Sequence, residues 1–168
     1  MTQPEPSPPN GSDLCVACGL CCTGLLFDIA PLEDHEVPLA EALRLPVVRT
    51  PVYEAFRLPC PRQEGTVCGV YKCRPAVCGS YECGLLRRFV AGEVPLEDAL
   101  ARVAGIQERA AELRGRVPSG PRPRPLWDDA HAYLQRGDET EEVWRRERDE
   151  ITKALAELRA ACRRDLDP

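Results

Sequence analysis

Four cysteines fall within eight residues at Cys15-Val16-Ala17-Cys18-Gly19-Leu20-Cys21-Cys22, and a second series follows at Cys60, Cys68, Cys73, Cys78 and Cys83. Thiolates hold Zn²⁺ tetrahedrally and also ligate iron–sulfur clusters. A two-residue gap lets two sulfurs reach one ion around a tight turn, and Cys15, Cys18 and Cys21 repeat that gap. The same spacing matches part of the bacterial ferredoxin run. There the last cysteine precedes a proline, whereas the Cys-Pro of this chain is the remote Cys60-Pro61. The side chains of adjacent Cys21 and Cys22 diverge, so two neighbouring sites, or one larger cluster with a spare thiol, fit better than both sulfurs on one small ion. Eight of the ten cysteines (Cys15, Cys18, Cys21, Cys22, Cys60, Cys68, Cys78 and Cys83) divide numerically into two four-thiolate sites.

A divalent ion with four thiolates is a net dianion, and burying it calls for donors or cations nearby. Arg62, Lys72, Arg74, Arg87 and Arg88 flank the second series. Arg74 is the best placed of them to stand behind the ligands, since its fork can donate to sulfur or to a carboxylate; the alternative is an ordinary surface salt bridge. The chain has two histidines, too few for a His-rich open zinc site, and His35 within Glu33-Asp34-His35-Glu36 reads as solvated. There is no Ser-His-Asp set, no phosphate loop and no carboxylate pair near a plausible pocket, so no catalytic residue is assigned.

Positioning these thiols requires the backbone to change conformation among them. Cys68, Cys73, Cys78 and Cys83 recur every five residues, a step of about 140° on an α-helix, so one helix cannot present them on one face. Arg74-Pro75 is the natural break, and Pro75 can open a helix carrying Cys78. Phe56-Arg57-Leu58 and Thr66-Val67, with Gly65 in the turn, read as a hairpin that brings Cys60 near Cys68. Leu25 to Ile29 reads as a strand, and Pro31 to Glu36 and Pro38 to Leu45 as short helical pieces. A helix opens at Pro95, with Leu96, Leu100, Val103 and Ile106 at helical spacing. The last helix, from about Thr140 to Arg164, carries the stripe Trp144, Ile151, Leu155, Leu158 and Cys162, which packs back on the core or meets a partner. The expected class is a small metal-stapled α-rich (α+β) domain with an irregular cysteine-cluster core, a short hairpin and following helices. Its parts are a Pro-rich disordered tail at 1–12, a cysteine-cluster metal-binding domain at 13–91, a helix packed on it at 92–117, a Pro-rich linker at 118–126 and a helical segment at 127–168.

Aromatics make up only 5% of the 168 residues, so a core of Ala, Leu and Val gains from metal or bridges. The net charge of −5 and the lack of Lys/Arg runs interleaved with aromatics argue against a nucleic-acid surface. No apolar run approaches the roughly 20 residues of a bilayer span. Met1 to Asn10 carries four prolines and no apolar stretch, unlike a secretory signal, so the expected compartment is the cytoplasm. Closely spaced cysteines there are more often metal ligands than bridges.

Set beside Cys60-Pro61, Cys68-x-x-Tyr71-x-x-Arg74-Pro75-x-x-Cys78, the opening Cys15-x-x-Cys18-x-x-Cys21-Cys22 resembles the zinc- or iron-chelating cysteine-cluster proteins of the YkgJ type. The resemblance covers roughly residues 13–83. It implies metal binding by Cys15, Cys18, Cys21, Cys22, Cys60, Cys68 and Cys78, with Cys83 recurring after an aromatic where Tyr81 stands here. Cys73 falls at a variable position of that pattern. A related cluster in flagellin lysine methylases is tied to an iron–sulfur centre, but no Gly-rich S-adenosylmethionine site appears here and methylation does not carry over. Three readings follow: a metal-binding protein with zinc or an iron–sulfur cluster in a structural or accessory role, a cluster-dependent redox enzyme, and a metal-stapled module that meets a protein partner through its C-terminal helix.

Overall fold

Two apolar clusters organise the chain, one between helices and one beneath a small sheet. The computed structural model describes residues 11–136 and 142–167. In chain order these hold α1 (Gly11–Cys18), β1 (Ile29–Leu32), α2 (Val37–Ala42), β2 (Val47–Arg49), β3 (Glu54–Arg57), β4 (Gln63–Glu64), β5 (Val67–Cys68), α3 (Ala76–Ser80), α4 (Gly84–Val90), α5 (Leu96–Arg116), α6 (Leu126–Leu134) and α7 (Glu142–Leu166). Short 3₁₀ turns cover Leu20–Cys22, Asp34–Glu36 and Tyr71–Cys73. The architecture is α-rich, with small antiparallel sheets. The first ten residues of the expected tail, and the expected helix start at Thr140, lie outside the described residues; α1 opens at Gly11.

The helical cluster joins the cysteine-rich segment to the C-terminal half. Val103, Ile106 and Leu113 of α5 share it with Ile151, Leu158 and Leu166 of α7. Leu14, Leu20 and Leu25 enter it from the N-terminal segment, and Leu85 and Leu86 from α4. The stripe on α7 is therefore spent within the chain: Ile151, Leu158 and Cys162 are buried, and Leu155 packs against the same core. α5 starts after Pro95 with Glu97 and Asp98 in its first turn and ends with Arg114 and Arg116, each sign complementing the helix dipole. Gly92, at φ 75°, stops α4 in the left-handed conformation that a side chain would disfavour.

The smaller cluster holds Leu32, Val37, Ala40, Leu45, Phe56 and Leu58. It lies against a three-stranded sheet in the order β1-β3-β2, with Ala30 opposite Phe56 and Val47 also opposite Phe56 on the other edge. Two expectations shift here. The strand falls at Ile29–Leu32 rather than Leu25–Ile29, because this register is the one that sets Leu32 in the sheet core. Phe56 and Arg57 belong to this sheet and not to the hairpin, which instead pairs Gln63 with Cys68 and Glu64 with Val67 about Gly65 and Thr66.

One buried charge ties α5 to α6. The Asp129 side chain is 1% exposed, and it accepts hydrogen bonds from Arg114 at 2.6 Å and from Arg124 at 2.9 and 3.0 Å. Burial opposes its charge, but the Arg124 and Arg114 guanidiniums, helped by the Gly120 backbone, outweigh it and hold the carboxyl below its usual range. Asp129→Asn should cost about 2 kcal/mol near neutral pH. Because the folded-state pKa lies below the unfolded one, the contribution is full above the unfolded value of about 3.9 and is lost as the pH falls through the folded value. Urea denaturation should thus show the wild-type advantage vanishing in acid; an advantage unchanged by acid would contradict this reading of the pair.

Candidate metal centre

Cys15 and Cys18 lie three residues apart on α1 and so share a face. The helix ends at Gly19, whose φ of 62° reverses the backbone while its amide still bonds the Cys15 carbonyl at 3.0 Å. A 3₁₀ turn follows with Cys21 and Cys22, and the Cys22 amide donates to the Gly19 carbonyl at 3.1 Å. A side chain on Gly19 would put its Cβ 2.8 Å from the Thr66 carbonyl oxygen and 2.9 Å from Thr66 Cα, so only glycine lets the β4–β5 hairpin rest against this turn. Two distant glutamines fix the segment. Gln63 Nε2 donates to the Gly19 carbonyl at 2.9 Å, and Gln107 Nε2 donates to the Cys18 carbonyl at 2.8 Å and to that of Ala17 at 3.2 Å. These satisfy carbonyls that the end of α1 leaves free.

The second series arrives on three further pieces of chain. The Cys60 amide donates to the Cys22 carbonyl at 2.8 Å, and Cys68 sits on β5 opposite Gln63. Cys78 lies on α3, which begins after Pro75 as the sequence led one to expect. Its first amide, that of Ala76, is accepted by Glu36 Oε1 at 2.7 Å, while Glu36 Oε2 accepts the Glu33 amide at 3.0 Å. Those two amides, Ala76 first, hold the buried Glu36 carboxyl below its usual range against the cost of burial. Cys83 caps α4, its sulfur accepting the Leu86 amide at 3.4 Å.

All eight thiols singled out by spacing and resemblance line one cavity of about 370 Å³, whose remaining wall is mostly apolar. Cys73 and Cys162 do not line it: Cys73 is exposed, and Cys162 is buried in the helical core. A shallower groove of about 380 Å³ beside α5 includes Cys18 alone among the cysteines. All ten cysteines are unbridged. Burial pushes the thiols up first and their mutual proximity adds to it: Cys18 and Cys22 to about 11, Cys78 to about 12, Cys21 further still, and Cys15 and Cys60 in the same direction. Arg74 opposes this at Cys15, Cys22 and Cys78, lowering each in part. Its guanidinium lies 3.8 Å from the centroid of the Tyr71 ring, on the cavity wall. Tyr81, also on the wall, meets Phe27 edge-on at 4.8 Å.

Among the described residues, no three His, Cys, Asp or Glu side chains stand as a ready-made metal cage. The thiols share a cavity without forming a tetrahedron. Their chemistry suits a soft metal, which would be bound as thiolate with loss of the thiol protons. His35 is 77% exposed and lies 3.3 Å from Glu33, the solvated position expected of it. Glu36, Gln63 and Gln107 are the residues that sequence reasoning missed. Glu33-x-x-Glu36 is a capping-box spacing and could have drawn attention to Glu36, but nothing local marks the two glutamines.

No family model matches this chain, and no curated protein or solved structure is detectably similar to it.

Gly19→Ala should lose about 2–5 kcal/mol, combining the left-handed backbone with a clash against the hairpin. Gly65→Ala, also at positive φ but with nothing within 4 Å of the new methyl, should lose only about 1–2 kcal/mol. Thermal denaturation compares the two; equal losses would mean the hairpin does not press on the Gly19 turn.

Proposed function

We propose that this chain is a cysteine-thiolate metal-binding protein of the cysteine-cluster type, holding zinc or an iron–sulfur cluster in a structural or accessory role. One observation carries the reading. Thiols drawn from α1, its following turn, the β4–β5 region, α3 and the cap of α4 all reach one cavity, while the two cysteines outside the motif stay away from it. Packing alone would not gather eight thiols around one cavity, since Leu or Val buries more apolar surface. Arg74 adds support as a cation able to offset the negative charge of thiolates around a bound metal. The Cys15, Cys18, Cys21, Cys22, Cys60, Cys68, Cys78 and Cys83 sulfurs are the ligands in this reading, and the metal supplies a link between segments that the backbone joins only through turns.

The role is structural in first instance because the cavity wall around the thiols is mostly apolar, and the α7 stripe that could have met a partner is packed on the chain's own core. α5 and α7 carry none of the eight thiols, so metal removal should act mainly on the other half of the molecule. In an anaerobically purified sample, elemental analysis should find stoichiometric zinc or iron; a brown colour bleached by dithionite would identify the cluster. Adding a chelator should then accelerate amide hydrogen exchange across residues 13–90 and leave α5 and α7 protected. A reduced chain free of metal whose exchange pattern matches the as-purified protein would overturn the proposal.

A further inference from the structure

Cys21 and Cys22 are neighbours in a 3₁₀ turn, where successive side chains point about 120° apart. They therefore face different parts of the cavity, and the surrounding chain follows the same division. On one side, α1 carries Cys15 and Cys18 and packs against α4, which Cys83 caps. Cys18 and Cys83 both lie against the helical core. On the other side, the Cys22 carbonyl accepts the Cys60 amide, the Cys60 carbonyl accepts the Gln63 amide at 3.2 Å, and Gln63 pairs with Cys68 across the hairpin. Cys60 packs against the sheet core, and α3, with Cys78, packs against β1 of that sheet. Each apolar core thus has its own set of thiols.

Resting on the metal reading above, we propose that the cavity holds two four-thiolate centres, one formed by Cys15, Cys18, Cys21 and Cys83 and the other by Cys22, Cys60, Cys68 and Cys78. The two sets meet at the Cys21–Cys22 step of the turn, and Arg74 lies on the wall of the same cavity, a single cation beside both dianionic centres. The Cys-Cys step, awkward for one ion, becomes the shared wall between two.

The test uses the reduced full-length chain, loaded anaerobically with Zn²⁺ alone, with zinc counted by elemental analysis. Protected thiols are mapped by iodoacetamide alkylation and mass spectrometry. The wild type should bind two zinc ions per chain, and Cys73→Ser should leave that number unchanged. Cys21→Ser and Cys22→Ser should each retain one ion, with opposite footprints. In Cys21→Ser, the sulfurs of Cys22, Cys60, Cys68 and Cys78 stay protected while Cys15, Cys18 and Cys83 are alkylated. In Cys22→Ser, Cys15, Cys18, Cys21 and Cys83 stay protected instead. Cys15→Ser and Cys78→Ser, at positions more open to solvent, repeat the comparison should either turn variant fail to fold. One ion in the wild type, or variants that unprotect all the remaining sulfurs together, would overturn the division while leaving metal binding intact. No stoichiometric uptake by the wild type would instead bring down the metal reading itself, and this inference with it.

Discussion

Eight sulfurs share one cavity, and for six of them (Cys15, Cys18, Cys21, Cys22, Cys60 and Cys78) burial makes ionisation costly unless something positive answers the charge. Burial and the neighbouring sulfurs act in the same direction, raising Cys18, Cys21, Cys22 and Cys78 well above the ordinary thiol value. Arg74 relieves part of this, but one guanidinium cannot balance several thiolates. A bound metal can, because coordination itself lowers the thiol pKa and replaces the protons. These six thiols are therefore stable protonated or, in the metal-binding reading proposed above, ionised around a metal.

The rest of the fold holds the pieces of backbone that bring these sulfurs together, and it does so mainly from a distance. Gln107 on α5 grips the end of α1; Gln63 on the hairpin grips the following turn; Glu36, from the sheet side, fixes the start of α3. Trp127 on α6 donates to the Leu25 carbonyl at 2.8 Å, tying the C-terminal half to the chain just after the turn. The tip of α7 rests on Gly84, beside the capping Cys83, with the Asp167 carbonyl where a side chain would otherwise stand. None of these groups is a thiol, yet each holds a segment that carries one. The two cores give the site a stable frame on both sides, so the cavity forms a seam between a helical half and a sheet half.

Local chemistry made part of this legible in the sequence. Proline and glycine fixed several boundaries: Pro75 before α3, Pro95 before α5, and Gly65 in the hairpin turn. The cysteine spacing and the family resemblance together marked eight residues that line one cavity; Cys73, at a variable position of that family pattern, and Cys162, on the stripe of the last helix, do not line it. The errors share a physical cause. Leu25 to Phe27 and Phe56-Arg57 are short segments whose pairing depends on which strand lies alongside, and that choice is made by long-range packing rather than by the segment itself. Phe56 could not be assigned to the central strand of the sheet without knowing that β1 and β2 flank it. The role of Glu36 was not legible because its partner, the Ala76 amide, lies 40 residues away. The grouping of thiols was open for the same reason: spacing shows which cysteines are close along the chain, while the division between two cores is a property of the folded backbone.

The central claim is that sulfur from the chain surrounds a metal. X-ray absorption at the zinc or iron edge of the as-purified protein measures this directly. A first shell made of sulfur alone, at about 2.3 Å for zinc and with no nitrogen or oxygen neighbour, is the result expected of thiolates from this cavity. A shell dominated by nitrogen or oxygen would place the metal somewhere other than among these cysteines and contradict the account.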